Sequence, residues 1–457
     1  MVIISATSVG YIVGGPYEGR KMVGCSLAVG RQGVVAQGPY NEFAGELVVA
    51  EFEAPRRIEK GVQIGEMLQK KVISKMEYKV CSRCIIDTTV PGVTFDEKGE
   101  CNFCKLHDRL ERAYPLTPEG SRKLARIIEK IKKSGIGKKF DCIAGLSGGR
   151  DSTYTLYLLK KFGLRPLAVH FNDGFGNPVA GENMRKVTAK LGVELRTITS
   201  DWRESKDIKI AFLKASTPDM EEGTDIGIAS ALYGTAFREG VKYVIIGQSF
   251  RTEGISPLVW NYLDGKYLKN VHRRFGSVKL RRWKPEDPGF NLDLWHLFYY
   301  IVLRGIRTVP LLYYVPYVRK EAEAIITELG WRYPGAHYYD DLYQSLMTYV
   351  LRVKFNIDRR KFNYSALVRS GQMTRDEALE RIKEVYVIED PKIIDLCIKR
   401  LGITHQELDK YLAEAPKTFR DYPTSYNYIR FLRIPLRILS TMNIIPAIVY
   451  DKYFNCG

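Results

Sequence analysis

Apolar and polar positions between residues 118 and 333 fall into two alternating rhythms, a short β-type run followed by a longer stretch of helical spacing. A basic amphipathic helix is predicted over Ser121–Lys133. Phe140–Leu146 is the first strand-type run, and Thr153–Lys161 is the helix after it. Leu164–Phe171 reads as a second strand, Val179–Leu191 as a helix and Glu194–Thr199 as a third strand. Helical segments near 206–216 and 225–239 precede a fourth strand, Lys242–Gly247. The aromatic stretch Leu292–Leu303 predicts a helix, Arg307–Val315 a returning strand, and Arg319–Gly330 a helix ended by its glycine. Strands and helices of this length in alternation predict an α/β fold, a doubly wound parallel sheet with its ligand at the C-terminal edge of the strands.

The flanks read differently. Residues 25–30, 33–38 and 45–53 alternate like a β-meander with glycine turns. This pattern resembles the C-terminal strands of the nitrilase-like carbon–nitrogen hydrolases. In that family the nucleophilic cysteine, its lysine and a glutamate lie upstream of these strands. The resemblance therefore implies a non-catalytic remnant, with Cys25 a buried strand residue. Met76 opens a stretch that looks like a natural protein start, so residues 1–75 are expected to be a fused remnant or a misassigned start. Downstream, 340–356 and 374–385 predict helices, the second with a capping box at Thr374 and Glu377. Tyr426–Tyr453 is apolar with scattered Arg and Pro and is expected to lie against the core. The expected units are 1–75, a four-cysteine module at 76–117, the α/β unit at 118–333 with a basic insertion at 251–305, and a helical substrate or partner region at 334–457.

Between the first strand and its helix stands Ser147-Gly148-Gly149-Arg150-Asp151-Ser152. A strand, a tight glycine-rich loop and a helix, in that order, make an anion site from loop amides and the helix N-terminus. Gly148 and Gly149 let the backbone approach closely, Ser147 and Ser152 add hydroxyl donors, and Asp151 is expected to cap the helix. No Lys-Ser/Thr ends the loop, which excludes the nucleotide loop that closes on Gly-Lys-Ser/Thr. The loop resembles the SGGxDS pyrophosphate loop of the PP-loop ATPases, which split ATP between its α and β phosphates and adenylate a substrate. The resemblance implies catalytic roles for Ser147, Gly148, Gly149, Asp151 and Ser152, and nucleotide contacts from these residues and Arg150. Other strand ends carry further candidates. His170, Asn172, Asp173 and Gly174 follow the second strand, where PP-loop enzymes hold the adenosine of ATP. Gly247, Gln248 and Ser249 follow the fourth, with Arg251 and Glu253 just beyond.

Cys81, Cys84, Cys101 and Cys104 form a C-x2-C-x16-C-x2-C array. Two knuckles at this spacing place four thiolates around Zn²⁺, and a closed all-cysteine set is structural rather than catalytic. Unligated thiols and an iron–sulfur cluster are the alternatives. Eight cysteines in 457 residues do not make a disulfide scaffold. The net charge of +18 implies an anionic partner: nucleic acid, nucleotide or acidic sugar. Residues 264–284 concentrate it, with no acid from 265 to 284; the stretch reads as a solvated face, as a phosphate contact for a nucleotide-linked substrate or as a partner-docking surface, and the interleaved Tyr267, Phe275 and Trp283 would also suit nucleic acid. Met1–Ser5 lacks the basic start of a signal peptide. The most apolar stretches, Leu294–Leu303 and Ile444–Tyr450, fall short of the ~20 residues a bilayer requires. A soluble, cytoplasmic protein is expected.

Three stretches are together similar to the N-acetyl sugar amidotransferases of bacterial surface-polysaccharide synthesis. They are Cys81–Cys104, the loop itself, and Trp331–His337 with Lys354–Arg360 and Ser370–Ala378. The resemblance implies a reaction in which ATP activates the amide oxygen of an N-acetyl group as an adenylate. Pyrophosphate leaves, stabilised by the loop and Mg²⁺, and ammonia displaces AMP to give an acetamidino group. It further implies a nucleotide-linked acidic sugar as substrate, glutaminase and ammonia-channelling subunits in trans, and no stable nucleic-acid partner. The family has Gly-Gly-Lys-His and then Glu-Ser where this chain has Gly335-Ala336-His337 and then Tyr338-Tyr339-Asp340. His337 stands as either a substrate contact or a structural histidine. The main rival is a tRNA-thiolating PP-loop enzyme, some of which also carry a four-cysteine ribbon. Sulfur delivery needs reactive cysteines beyond the loop, and only Cys397 and Cys456 lie there, far apart and with no CxxC. A zinc-ribbon assembly module with a dead ATP site is the non-enzymatic reading, and the intact loop argues against it.

Overall fold

The computed structural model describes residues 78–284, 289–336, 338–442 and 444–454, together with the backbone of five short strands near the N-terminus. The chain divides into two units, Met1–Met76 and Glu77–Gly457. In the first, the strands are β1 (Val2–Ile4), β2 (Gly10–Tyr11), β3 (Lys21–Met22), β4 (Leu27–Gly30) and β5 (Gly33–Gln37). β4 pairs antiparallel with both β1 and β5, and β2 with β3. Cys25 and the run at 45–53 lie outside the described residues.

The second unit is built on a parallel sheet of five strands: β6 (Cys142–Gly145), β7 (Pro166–Asn172), β8 (Leu195–Thr199), β9 (Tyr243–Ile246) and β10 (Arg307–Pro310). Their order is β10-β9-β6-β7-β8. The chain runs outward from β6 to β8, then returns to the other side of β6. The strand order thus reverses at the β6–β9 boundary, and ligands of open α/β sheets bind in the crevice such a reversal leaves. The helices of this part are α1 (Asn102–Ala113), α2 (Pro118–Ser134), α3 (Arg150–Lys161), α4 (Pro178–Leu191), α5 (Trp202–Ala215), α6 (Glu222–Arg238), α7 (Gly265–Phe275), α8 (Leu294–Phe298) and α9 (Arg319–Glu328). Strand parity sorts the core. Cys142, Ala144, Ala168 and Ile245 pack with Leu156, Leu159, Val187 and Ile326 on one face. Ile143, Leu167, Val169 and Val244 pack with Ala211, Phe212, Ala231 and Ala236 on the other. Burial on both faces is why these strands read as continuous apolar runs.

Several boundaries differ from the sequence reading. α3 begins at Arg150, so the last three loop residues form its first turn. The aromatic helix is a short α8 followed by a π turn at Tyr299–Leu303. In the basic insertion, Tyr267 and Trp283 are buried, and the backbone around Trp283 donates to the Glu204 carboxylate. Both rings belong to the core, so they are not available for stacking on bases. The C-terminal part is helical: α10 (Tyr343–Phe355), α11 (Arg360–Arg369), α12 (Arg375–Arg381), α13 (Pro391–Leu401), α14 (His405–Ala413), α15 (Tyr426–Phe431), α16 (Arg433–Thr441) and α17 (Ala447–Phe454). The expectation that 426–453 lies against the core holds for Ile429 and Ile445, but Phe431 and Ile434 are 88% and 73% exposed. Among the described residues, no helix is long and apolar enough to cross a membrane.

Acids are buried at the start of α6. Burial pushes Asp219 and Glu221 up to about 7, and holds Glu222 well above the carboxylate range. A carboxylate with a raised folded-state pKa contributes stability that is full below its unfolded value and is lost as pH rises through the folded one. The buried His107 and His170 have lowered pKa values and act in the opposite sense, but only below about 6.5, where the free imidazole titrates. Between pH 6.5 and 8 the acids therefore dominate. The melting temperature in low-salt buffer is expected to fall over that interval, and a pH series of thermal melts checks it.

Candidate functional site

The loop leaves the C-terminal end of β6 and turns at Gly148, whose φ of +82° is in the left-handed region. A Cβ there would also lie 2.2 Å from the carbonyl oxygen of Ala180. The Gly148 carbonyl in turn accepts from Trp331 Nε1 at 3.0 Å and Asn183 Nδ2 at 3.2 Å. Gly148→Ala thus combines backbone strain with a clash against backbone. It is expected to destabilise the fold by about 2 kcal/mol or more, read by thermal melting. Gly149 is the N-cap of α3, so no side chain caps that end. Ser147 and Ser152 join hydroxyls at 3.1 Å, and Ser147 N–H donates to Ser152 Oγ at 3.2 Å, closing the loop into a ring.

Asp151 does not cap the helix as expected. It sits in the first turn, and its Oδ1 accepts from the Tyr317 hydroxyl and from Arg150 Nε at 2.9 Å. Its Oδ2 is buried and has no hydrogen-bond partner among the described residues. The far end of the Arg150 guanidinium pairs with Glu323 on α9 at 2.6 Å, so the side chain braces Asp151 while its outer nitrogen is committed to α9. Two further carboxyls stand close by. Glu253 is pushed up to about 8 by burial and by the charge of Asp151, while it accepts from Ser249 N–H at 3.4 Å. Asp340 is raised by burial, and its Oδ2 lies 3.1 Å from where a Cβ of Gly149 would stand. Arg319, half-buried, donates to the Thr252 carbonyl at 2.5 Å while its Nε has no partner among the described residues. An unpaired buried carboxylate oxygen and a row of helix amides fit a hard divalent cation carrying phosphate, which takes one or two carboxylates and fills its other positions from phosphate and water.

The remaining sequence candidates fall into two groups. Gly247 presses on the loop, since a Cβ there would lie 2.9 Å from Asp151 backbone atoms, and Gln248 beside it is exposed. His170 bonds the Leu146 carbonyl through Nδ1 at 3.1 Å, directly before the loop. Asn172 accepts from Gly174 N–H at 3.0 Å in a local turn. Asp173 is tied up in a buried pair with Lys209 at 2.8 Å and a bond from Thr224 at 2.6 Å. Arg251 is likewise committed, to Glu111 on α1 at 2.7 Å and to the carbonyls of Tyr313 and Tyr114. His337 lies outside the described residues. Asp340, Arg319, Trp331 and Asn183 escaped the sequence reading because their approach to the loop is tertiary. Residues 339–342 are laced to the segment after β7 through Asn177 and Phe175, which carries Asp340 to Ser147.

The four cysteines converge. Cys81, Cys84, Cys101 and Cys104 are fully buried, and their sulfurs all lie within 4.8 Å of one another. Three of the Sγ separations are 3.8, 3.7 and 3.6 Å. A tetrahedron with metal–sulfur bonds of ~2.3 Å has edges of about 3.8 Å, so the set fits one Zn²⁺. Several irons with bridging sulfides would hold the sulfurs farther apart. Backbone N–H groups of Arg83, Cys84 and Cys101 point at Cys81 Sγ. Arg369 on α11 bonds Cys104 and Cys84 sulfurs at 3.4 Å each, offsetting the charge of four thiolates from a half-buried position. Arg375 reaches the carbonyls of Cys81 and Cys84.

Fold and site together define a doubly wound α/β protein with a glycine-rich strand–loop–helix turn at its switch point and a closed four-thiol module clamped by its helical C-terminal part. Residues 332–434 match the family described as LPS biosynthesis protein WbpG-like, C-terminal domain. That segment supplies Asp340 to the loop and Arg369 to the cysteines. An uncharacterized protein, MJ1599 of Methanocaldococcus jannaschii, is 32% identical over 127 residues, which is 27% of this chain. The chain spans 44% of the length of that curated relative. Among solved structures, NMN synthetase from Francisella tularensis is 14% identical, covering 65% of this chain and 97% of its own at a TM-score of 0.26. NH3-dependent NAD synthetase from Campylobacter jejuni is 15% identical, with 65% and 97% covered and a TM-score of 0.27. The U34-tRNA thiolase NcsA from Methanococcus maripaludis is 15% identical, with 71% and 98% covered and a TM-score of 0.28.

Proposed function

We propose that the chain is an ATP-dependent amidotransferase of surface-glycan synthesis. It adenylates the N-acetyl amide oxygen of a nucleotide-linked acidic sugar and lets ammonia replace that oxygen, giving an acetamidino group. The observation that carries the reading is the loop itself: glycines that admit a phosphate, uncapped helix amides, and Asp151 with one carboxylate oxygen held and the other unfilled. The likeness of 332–434 to a WbpG-like domain supports the sugar class. An amide oxygen is a poor leaving group until it is adenylated. The loop amides would bind the departing pyrophosphate, and Ser147 and Ser152 would orient it. Asp151 and Asp340 would hold Mg²⁺, which supplies charge neutralisation to the leaving group. Zn²⁺ at the four cysteines would be structural. The ammonia would come from a glutaminase through a channelling subunit.

The thiolation reading needs an accessible sulfur carrier. Cys397 is buried, donates to the Leu342 carbonyl, and has its thiol pushed up to about 12 by burial. A thiol so placed is a core residue rather than a nucleophile. Cys456 lies outside the described residues. The test is pyrophosphate release from the purified chain with Mg-ATP, an ammonium salt and a panel of nucleotide-linked N-acetyl sugars, with mass spectrometry of the sugar. Conversion of O to NH that depends on ATP is the expected result. Pyrophosphate release driven by tRNA, with every sugar unchanged, would sink the proposal.

A further inference from the structure

We propose that a cavity at the N-terminal end of α6 binds ammonium through Glu222, Glu221 and Asp225; the choice of this ion rests on the amidotransferase reading. The cavity measures about 80 Å³ and sets Asp219, Glu221, Glu222 and Asp225 opposite the apolar Trp260 and Met347. Glu222 is 2% exposed. Its Oε1 accepts from Asp264 N–H at 2.7 Å, and its Oε2 has no partner among the described residues. Glu221 Oε1 is also buried and unfilled. The cations that face these acids are Arg359, which donates to Gln344 at 2.6 Å, and Lys452, which donates to Asn261 at 3.1 Å. Lys209 is engaged by Asp173 and Thr224. Two buried carboxyl oxygens of the cluster, on Glu221 and Glu222, thus have no donor among the described residues. Unfilled acceptors in a buried place are costly, and a cation bearing N–H groups satisfies charge and acceptors together.

The chemistry of the lining favours ammonium over a metal. N–H donors reach acceptors at ~2.9 Å rather than at metal-bond distance, and an indole wall suits a weakly hydrated cation. The position also fits the reaction. Arg359 lines the cavity and stacks on the Tyr338 ring at 4.3 Å, two residues from Asp340 at the loop. Passing one proton from the ion to a cluster carboxylate leaves neutral ammonia and a carboxylic acid, with no further reactant. Burial holds Glu221 near neutrality at about 7, which suits it to accept that proton.

The test is a thermal-melting titration of the full chain with NH4Cl, KCl and NaCl at equal ionic strength. Wild type is expected to show a saturable rise with NH4Cl beyond that given by KCl. The apparent affinity is expected to fall about tenfold in Glu222→Gln, which keeps the acceptor for Asp264. Asp225→Asn carries the same test if the first variant fails to fold. Equal melting in the three salts, or an ammonium increment retained in both variants, overturns the proposal. So does an increment from micromolar MgCl2 or CaCl2 that Glu222→Gln abolishes, since the site would then be a metal site. An ammonium-specific increment lost in the variants upholds the site even if no sugar is converted, whereas sugar conversion without that increment upholds the reaction and removes the site.

Discussion

Asp151→Asn is expected to lower ATP-dependent pyrophosphate release about a hundredfold to a thousandfold while leaving the fold intact. The two oxygens of this carboxylate have different jobs. Oδ1 is fixed by the Tyr317 hydroxyl and Arg150, and the asparagine carbonyl can keep both bonds. Oδ2 has no partner, and only there does the substitution place a neutral amide where the anionic oxygen stood. An amide nitrogen cannot coordinate a hard cation, so the charge developing on the departing pyrophosphate would lose its counter-ion. The loss should fall on turnover more than on nucleotide affinity, because the loop amides remain. Pyrophosphate release and Mg-ATP titration, each beside a melting curve, separate these effects. A variant that melts like wild type and keeps its turnover would take Asp151 out of the chemistry.

What was legible in the sequence depended on how local its cause is. The loop could be read because strand, glycines and helix are contiguous, and the four cysteines because their knuckles repeat within 24 positions, from Cys81 to Cys104. The parallel sheet followed from alternation of apolar runs, since burial on both faces leaves no polar gaps along β6, β7 and β9. The failures share a different origin. The role of Asp151 was misread because helix α3 starts three residues early, at a glycine N-cap, and this moves the acid into the first turn. Tyr267 and Trp283 mimicked a stacking surface, because a basic stretch with aromatics looks alike whether its rings face solvent or the core. Asp340, Arg319 and Arg369 reach their sites across more than a hundred residues of chain, and no local pattern announces such contacts. Asp340 was visible only as part of a departure from the resembling family.

Emptying the four-cysteine site is expected to cost the most stability of any single change. Cys101→Ser removes one of four converging ligands, and structural zinc sites contribute about 10–16 kcal/mol of binding free energy in small peptides. Only part of that reaches the whole unit, but the site is wired into it at several points. Arg369 and Arg375 hold the C-terminal helices to the knuckles, and Lys361 on α11 pairs with Asp87 at 2.7 Å. Without metal, four thiols at these separations have nothing to bind, and Arg369 loses the thiolates that hold its guanidinium charged against burial. The effect should travel to the loop. Ser370 donates to the Arg251 carbonyl, Gln372 donates to the Tyr317 carbonyl, and Tyr317 holds Asp151. Metal analysis of the wild type should therefore give one zinc per chain without the visible absorbance of an iron–sulfur cluster. Cys101→Ser should lose the metal, melt at markedly lower temperature, and cleave first within 78–117 under limited proteolysis. It should also lose pyrophosphate release, although no cysteine touches the loop. A variant that loses its zinc yet melts and turns over like wild type would show that the clamp, rather than the metal, holds this end of the molecule together.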